Sequence, residues 1–293
     1  MFLSPGANQM TNRACLAGIT VGDGLDVAVV GALNVSPESF YQGSIAIQED
    51  ALLSSAEAMA RAGAAFVDVG AMSTAPYLAA SIPESQEADR LGWAVDLLVK
   101  KLPLPVSADT SRSIPARAAL DAGARILNDV TGLTGDARMA ELVARAQVGL
   151  ILTASERVGQ VDSDPLEVVK GLLTEGLALA EAVGVDRSAI VVDPGIGFFR
   201  KQGMAWHEWD CEVLARLQEL RGLGRPLCIG VSRKSFIGAL TGEADPARRL
   251  PGSLAAAAAA VLQGAHLIRA HDVAETVQAV KVAAAIRRAP EAR

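Results

Sequence analysis

The residues with most chemistry to offer in this 293-residue chain stand where short apolar runs end. Asn34 closes the first such run, and Ser73-Thr74 follow the second just beyond Gly70. Asp109 closes the third and Asn128-Asp129 the fourth, while Thr153 and Ser155 follow the fifth. Asp193 closes the sixth, Ser232-Arg233-Lys234 follow the seventh, and Arg269 and His271 belong to the eighth. Carboxylates only accept hydrogen bonds, ammonium and guanidinium groups only donate, and Asn does both. Arg269 and His271 are two apart on an expected strand, hence on one face; with Arg233 and Lys234 on the neighbouring strand end they suit an anion such as a phosphate. Ser113 and Asp272 precede helical patterns and read as caps. That reading does not serve Asp109, Asn128 and Asp193, whose side chains would otherwise meet a dry core, so a functional role is favoured for these three. His266 faces away from His271 and His207 lies in a loop; both read as surface or packing residues.

Several other chemistries lack their parts. Cys15, Cys211 and Cys228 are far apart and without zinc-ligand spacing, which points to a reduced, cytoplasmic setting. There is no Gly-x-Ser-x-Gly elbow and no phosphate loop of the G-x-x-x-x-G-K-[ST] kind, and Gly31-Ala32-Leu33-Asn34 is not a dinucleotide fingerprint. The net charge is −6, from 27 basic and 33 acidic side chains with no basic block, which argues against nucleic acid as a partner. The start MFLSPGANQM lacks the basic residues and apolar run of a secretion signal. Ser253–Leu262 is apolar but too short to span a bilayer.

The elements that must position these residues alternate. Strands are expected near Val27–Leu33, Ala65–Gly70, Leu104–Asp109, Arg125–Asn128, Val148–Thr153, Ala189–Asp193, Pro226–Val231 and Ala265–Ala270. Helical patterns occupy Glu49–Ala62, Glu84–Lys101, Ser113–Ala122, Ala137–Ala146, Leu166–Val183, Glu208–Leu223, Ser253–Gln263 and Val273–Arg288. With 51% hydrophobic but only 4% aromatic residues, the core must be Ala, Val, Leu and Ile, as in parallel strands buried on both faces. Eight strand–helix units predict an α/β fold, a (β/α)8 TIM barrel whose C-terminal mouth collects the residues named above. The expected organisation is an N-terminal extension over 1–25 that suits a short hairpin under the barrel floor, the barrel over 26–288 and a tail over 289–293.

Seven segments in order resemble the dihydropteroate synthase family: Gly31–Phe40, Val67–Gly70 with Ser73-Thr74-Ala75-Pro76, Val106–Thr110, Leu127–Gly132, Asp193–Phe198, Ser232–Gly238 and Ile268–Val273. The resemblance implies a pterin-binding barrel that joins a dihydropterin-CH2 pyrophosphate to an arylamine, p-aminobenzoate, in folate biosynthesis. It implies a pterin site of Asp109, Asn128, Asp193, Lys234 and Arg269, with the Arg269 guanidinium stacked on the ring. It implies a pyrophosphate site of Asn34, Ser73, Thr74, Arg269 and His271, with Mg2+ as cofactor and Asn34 as its protein ligand. Asn34, Arg233, Lys234, Arg269 and His271 would carry catalysis, in a homodimer.

The departures from the family pattern lie on loops. The run after Phe40 is Tyr41-Gln42-Gly43-Ser44; Ala75 stands for the usual Arg and Tyr77 for Gly; Leu152-Thr153-Ala154 replaces Met-His-Met; Phe199-Arg200 replaces Gly-Lys. These changes, with Phe199 among the loops expected over the amine, lead to the expectation that p-aminobenzoate is a poor acceptor. They leave two alternatives open: transfer to another arylamine, as in methanopterin-type pathways, and a pterin-binding relative without synthase activity, such as a corrinoid methyltransferase.

Overall fold

The computed structural model describes residues 11–35, 45–72, 82–157 and 164–289. Apolar, β-branched runs form eight parallel strands: β3 (Ala28–Asn34), β4 (Phe66–Gly70), β5 (Val106–Asp109), β6 (Ile126–Asp129), β7 (Gly149–Thr153), β8 (Ile190–Asp193), β9 (Cys228–Gly230) and β10 (Leu267–Ala270). Their order is β8-β7-β6-β5-β4-β3-β10-β9. The two ends meet: Val192 bridges Leu227 in parallel, and the Val192 amide donates to the Pro226 carbonyl at 3.0 Å. The sheet is therefore a barrel, as the eight alternations predict.

Around it lie α1 (Ile45–Arg61), α2 (Glu84–Lys101), α3 (Ser113–Asp121), α4 (Met139–Ala146), α5 (Pro165–Ala182), α6 (Trp206–Ala215), α7 (Ser235–Thr241), α8 (Leu250–Leu262) and α9 (Val273–Arg288). The expected Glu208–Leu223 helix divides into α6 and a 3-10 segment, Leu217–Leu223, and α7 falls outside the sequence expectation. At seven residues α7 is shorter than the window of about 11–18 residues in which apolar periodicity is read.

Before the barrel, β1 (Arg13–Leu16) and β2 (Ile19–Gly22) pair as an antiparallel hairpin. Ala14, Leu16 and Val21 pack against Val30, Phe66, Ile126, Ile151, Val191, Cys228 and Leu267, which form the apolar lower layer of the barrel interior. The hairpin thus plugs the N-terminal end, each fully buried aliphatic side chain contributing about 1.5–3 kcal/mol. His266 secures it. Its Nδ1 accepts from the Leu227 amide (3.0 Å), which puts the proton on Nε2, 3.1 Å from Asp23 Oδ1. Asp23 also takes the Asn12 amide and Arg221. His266 is a buried clamp between hairpin and barrel, a packing role and not a surface one.

Side chains on one strand face recur every second residue. Two residues above all the floor residues but Val30, which leads to Ala32, the interior layer changes character: Phe66 leads to Asp68, Ile126 to Asn128, Ile151 to Thr153, Val191 to Asp193, Cys228 to Gly230 and Leu267 to Arg269. This upper layer lies at the C-terminal mouth, where barrels of this kind place their chemistry.

Candidate active site

The upper layer is organised around Arg269. Its Nε donates to Asp68 Oδ2 at 2.6 Å and its Nη2 to Asp109 Oδ2 at 2.8 Å, so two carboxylates fix the plane of the guanidinium. Asn128 Nδ2 donates to the same Asp68 oxygen at 2.9 Å. Asp68 Oδ1, Asp109 Oδ1 and Asn128 Oδ1 are buried and have no hydrogen-bond partner among the described residues. Buried acceptors left unmatched are costly, so this layer favours a ligand that brings donors. Burial pushes the Asp109 carboxyl up to about 7; Arg269 opposes the shift and the Asp68 charge adds to it. Burial likewise raises Asp193, against the pull of Lys234.

Beside this cluster, Asp193 begins the turn Gly195-Ile196-Gly197-Phe198. Asp193 Oδ1 accepts the Gly195 amide at 2.8 Å, and the Phe198 amide returns to the Gly195 carbonyl at 3.0 Å. Gly195 has φ +75°, and a Cβ there would lie 2.0 Å from the Ala154 carbonyl oxygen, so only glycine fits. The turn faces Lys234: the Lys234 ammonium donates to the Ile196 carbonyl and lies 4.7 Å from the centre of the Phe198 ring. Burial lowers the Lys234 pKa, while Asp193 and Asp210 raise it.

The side chains of Arg233 and Lys234, after β9, diverge because Arg233 is left-handed, φ +58°. Its amide donates to Ser253 Oγ (2.8 Å) and its carbonyl accepts from Arg249 (3.1 Å), which hold this sparsely populated conformation. Lys234 turns into the mouth. The Arg233 side chain instead pairs with both oxygens of Asp272, at 2.9 and 2.5 Å. The expectation of four cations converging on one anion is corrected accordingly: Arg233 is neutralised by the first acidic residue before α9, and Arg269 by Asp68 and Asp109. His271 lies one residue past the end of β10, not on the strand, and its Nδ1 is 3.0 Å from Ser232 Oγ. Burial, helped by Arg269 and Arg233, takes its pKa down to about 4, so the imidazole is neutral near pH 7.

Asn34 ends β3. Its Oδ1 and Asp109 Oδ2 both come within 3.6 Å of the point where a Gly70 Cβ would stand, which sets Asn34 on the rim beside the carboxylate cluster. Ser73 and Thr74 lie outside the described residues, as do Gln42-Gly43-Ser44, Ala75 and Tyr77. Phe199 is not over the mouth: it is buried, stacked on Trp209 with ring centres 5.0 Å apart. The part of the acceptor expectation that rested on Phe199 is therefore corrected; the ring is core. Its neighbour Arg200 lines a cavity of about 600 Å3 with Ser155, Glu156, Phe198, Lys201, Trp206 and Ser235. Arg200 donates to the Gly197 carbonyl and Ser235 Oγ and lies over the Trp206 ring.

Sequence reasoning passed over two buried carboxylates. Asp68 sits mid-strand, and the two-residue step from Phe66 through Asp68 to Gly70 was the signal that marks it. Asp210 lies on α6 under the glycine turn, and nothing in its local sequence separates it from a solvent-facing helical Asp.

The chain matches the family model for pterin binding enzymes over residues 30–271. It is 40% identical over 271 residues to a dihydropteroate synthase of Mycobacterium leprae, covering 88% of this chain and 93% of that protein. It is 35% identical over 281 residues to the Escherichia coli K12 dihydropteroate synthase, covering 92% and 96%. A probable bifunctional folylpolyglutamate synthase/dihydropteroate synthase of Haloferax volcanii is 39% identical over 266 residues, and this chain spans only 30% of its length. The Xanthomonas albilineans dihydropteroate synthase with 4-aminobenzoic acid superposes with a TM-score of 0.84 at 34% identity, covering 96% of this chain and 100% of that one.

Proposed function

This chain belongs to the pterin-binding enzyme family, and we propose that as a dihydropteroate synthase-type transferase it condenses a dihydropterin-CH2 pyrophosphate with p-aminobenzoate, releasing pyrophosphate. The observation that carries the reading is the layer of buried, unmatched acceptors on Asp109 and Asn128 beside Arg269. A pterin presents a guanidine-like edge of N–H donors to such a layer, and Lys234 donates to the acceptors of the opposite edge. Arg269, its plane held by two carboxylates, offers a flat cation to the ring face.

The reaction breaks the pterin CH2–O bond, forms a CH2–N bond to the amine, and loses one proton from that nitrogen. Its demands are placement of the amine and accommodation of charge leaving on the diphosphate. His271 and Asn34, with Ser73 and Thr74, are the proposed diphosphate ligands; an arriving diphosphate would favour the protonated form of His271. No group of three His, Cys, Asp or Glu side chains among the described residues could hold a metal. Asn34 supplies one hard oxygen at the rim, which fits a Mg2+ ion held mainly by diphosphate oxygens and water. When bound, that ion offsets negative charge on the leaving group. The cavity beside Phe198 and Arg200 is the proposed amine side, and the similarity to a dihydropteroate synthase structure with 4-aminobenzoic acid supports p-aminobenzoate as the amine.

Leu240, Leu262, Val282 and Ile286 are exposed on α7, α8 and α9, an apolar face that supports a homodimer. No helix of the described residues is long and apolar enough to cross a membrane. The three cysteines are unpaired, which supports a reducing, cytoplasmic setting. Calorimetric titration with dihydropterin pyrophosphate tests the site. Wild-type protein should bind, and Lys234→Ala and Asp193→Ala should each lose about 1.5–3 kcal/mol or more of affinity; unchanged affinity in both contradicts the assignment.

A further inference from the structure

Two carboxylates, not one, hold the glycine turn against Lys234. Asp193 takes the Gly195 amide from the strand side, and from beneath, Asp210 Oδ1 takes the Gly197 amide at 2.7 Å. Asp210 is wholly buried, and its Oδ2 has no hydrogen-bond partner among the described residues. A helix facing an apolar core has no packing use for such a group, since a buried carboxylate with one hydrogen bond is costly. Trp209 and Val213 of the same helix show what this face otherwise buries.

What Asp210 does hold is the part of the turn that meets Lys234. Gly197 has φ +85°, and a Cβ there would stand 3.1 Å from Lys234 Cδ, so the lysine side chain lies directly across this residue. The residue before supplies the carbonyl that receives the Lys234 ammonium, and the residue after supplies the ring 4.7 Å from it. The Gly197 carbonyl also receives Arg200 Nε at 3.2 Å, on the amine side. One amide, anchored by Asp210, thus sits between the lysine proposed to hold the pterin and the cavity proposed to hold the amine. Asp193 fixes only the entry of the turn; its exit has Asp210.

We propose that Asp210 is a positioning residue for the transfer reaction, acting through the Gly197 amide to set the Lys234 ammonium and the Phe198 ring at the junction of the two substrates. The proposal rests on the pterin and amine assignment above. It requires the acceptor oxygen of Asp210, so an amide in its place serves and an apolar group does not.

The test compares Asp210→Asn, Asp210→Ala and the isosteric Asp210→Leu with wild type. Folding is followed by circular dichroism, steady-state kinetics by pyrophosphate release, and pterin affinity by calorimetry. Loss of one anchoring hydrogen bond should raise KM and Kd for dihydropterin pyrophosphate about tenfold in the alanine and leucine variants. Asp210→Asn should stay within about twofold of wild type, because its carbonyl oxygen still accepts the Gly197 amide. The leucine variant fills the volume and keeps the test open if the alanine variant does not fold. Unchanged KM and Kd with a lower kcat would show only a reduced active fraction and overturn the proposal. So would an asparagine variant as impaired as the leucine one. Wild-type protein that neither binds the pterin nor releases pyrophosphate overturns the functional reading itself, a result separable from any variant effect.

Discussion

Lowering the pH should weaken pterin binding through Asp109, and the size of the effect follows from the structure. Burial holds this carboxyl at about 7, although Arg269 Nη2 is only 2.8 Å away. A pterin that donates N–H groups to Asp109 binds the ionised form, so below about pH 7 each binding event must first expel a proton. Between about pH 8.5 and pH 5.5 the apparent Kd should rise about 30-fold, or about 2 kcal/mol. At about pH 6, binding should release about 0.9 proton, falling almost to zero at about pH 8.5. Calorimetry in buffers of different ionisation enthalpy reads both quantities. The phosphate-free pterin alcohol is the proper ligand, since it keeps phosphate titration out of the signal. Asp109→Asn should bind weakly with no pH dependence from this group. The linkage has a second sign: the folded pKa exceeds the unfolded 3.8, so the Asp109 contribution to the stability of empty protein is fullest below about pH 4 and declines up to about pH 7. A flat Kd with no proton release in wild type refutes the argument.

Three further outcomes follow from other parts of the molecule. Gly195→Ala places a Cβ 2.0 Å from the Ala154 carbonyl oxygen at φ +75°; it should lower the melting temperature and weaken pterin binding at least about tenfold, measured by thermal denaturation and titration. His271→Ala should cost the pyrophosphate ester about 1.5–3 kcal/mol while hardly affecting the pterin alcohol; equal losses for both ligands in calorimetry would remove His271 from the diphosphate site. Leu16→Ala empties a fully buried position in the floor plug and should cost about 2–5 kcal/mol in urea unfolding, with pterin affinity unchanged because the plug is at the opposite end of the barrel.

The barrel was legible because parallel strands buried on both faces are short apolar runs, and here five of the eight end in a polar residue that marks the mouth. Asp109, Asn128, Asp193, Lys234 and Arg269 are brought together at that mouth, as their strand-end positions imply. What stayed hidden depends on backbone direction and on contacts distant in sequence. Arg233 and Lys234 look equivalent in the chain, yet the left-handed backbone of Arg233 sends one guanidinium to Asp272 and the next ammonium inward. Phe199 sits in what reads as a loop, and only the arrival of Trp209 from α6 makes it core. Asp68 follows the same two-residue step as the other interior residues, but in a strand of apolar neighbours it passed as part of a motif. Asp210 shows its role only where α6 meets the turn, 13 residues earlier in sequence.

Pyrophosphate release tests the central claim most directly. The protein is given dihydropterin pyrophosphate and Mg2+, with and without p-aminobenzoate, and pyrophosphate is measured together with the condensed product. One pyrophosphate per product, with release that requires the amine, is the expected result. Calorimetric binding of the pterin ester with no pyrophosphate released for p-aminobenzoate or any other arylamine would contradict it, and would leave a pterin-binding barrel that is not a synthase.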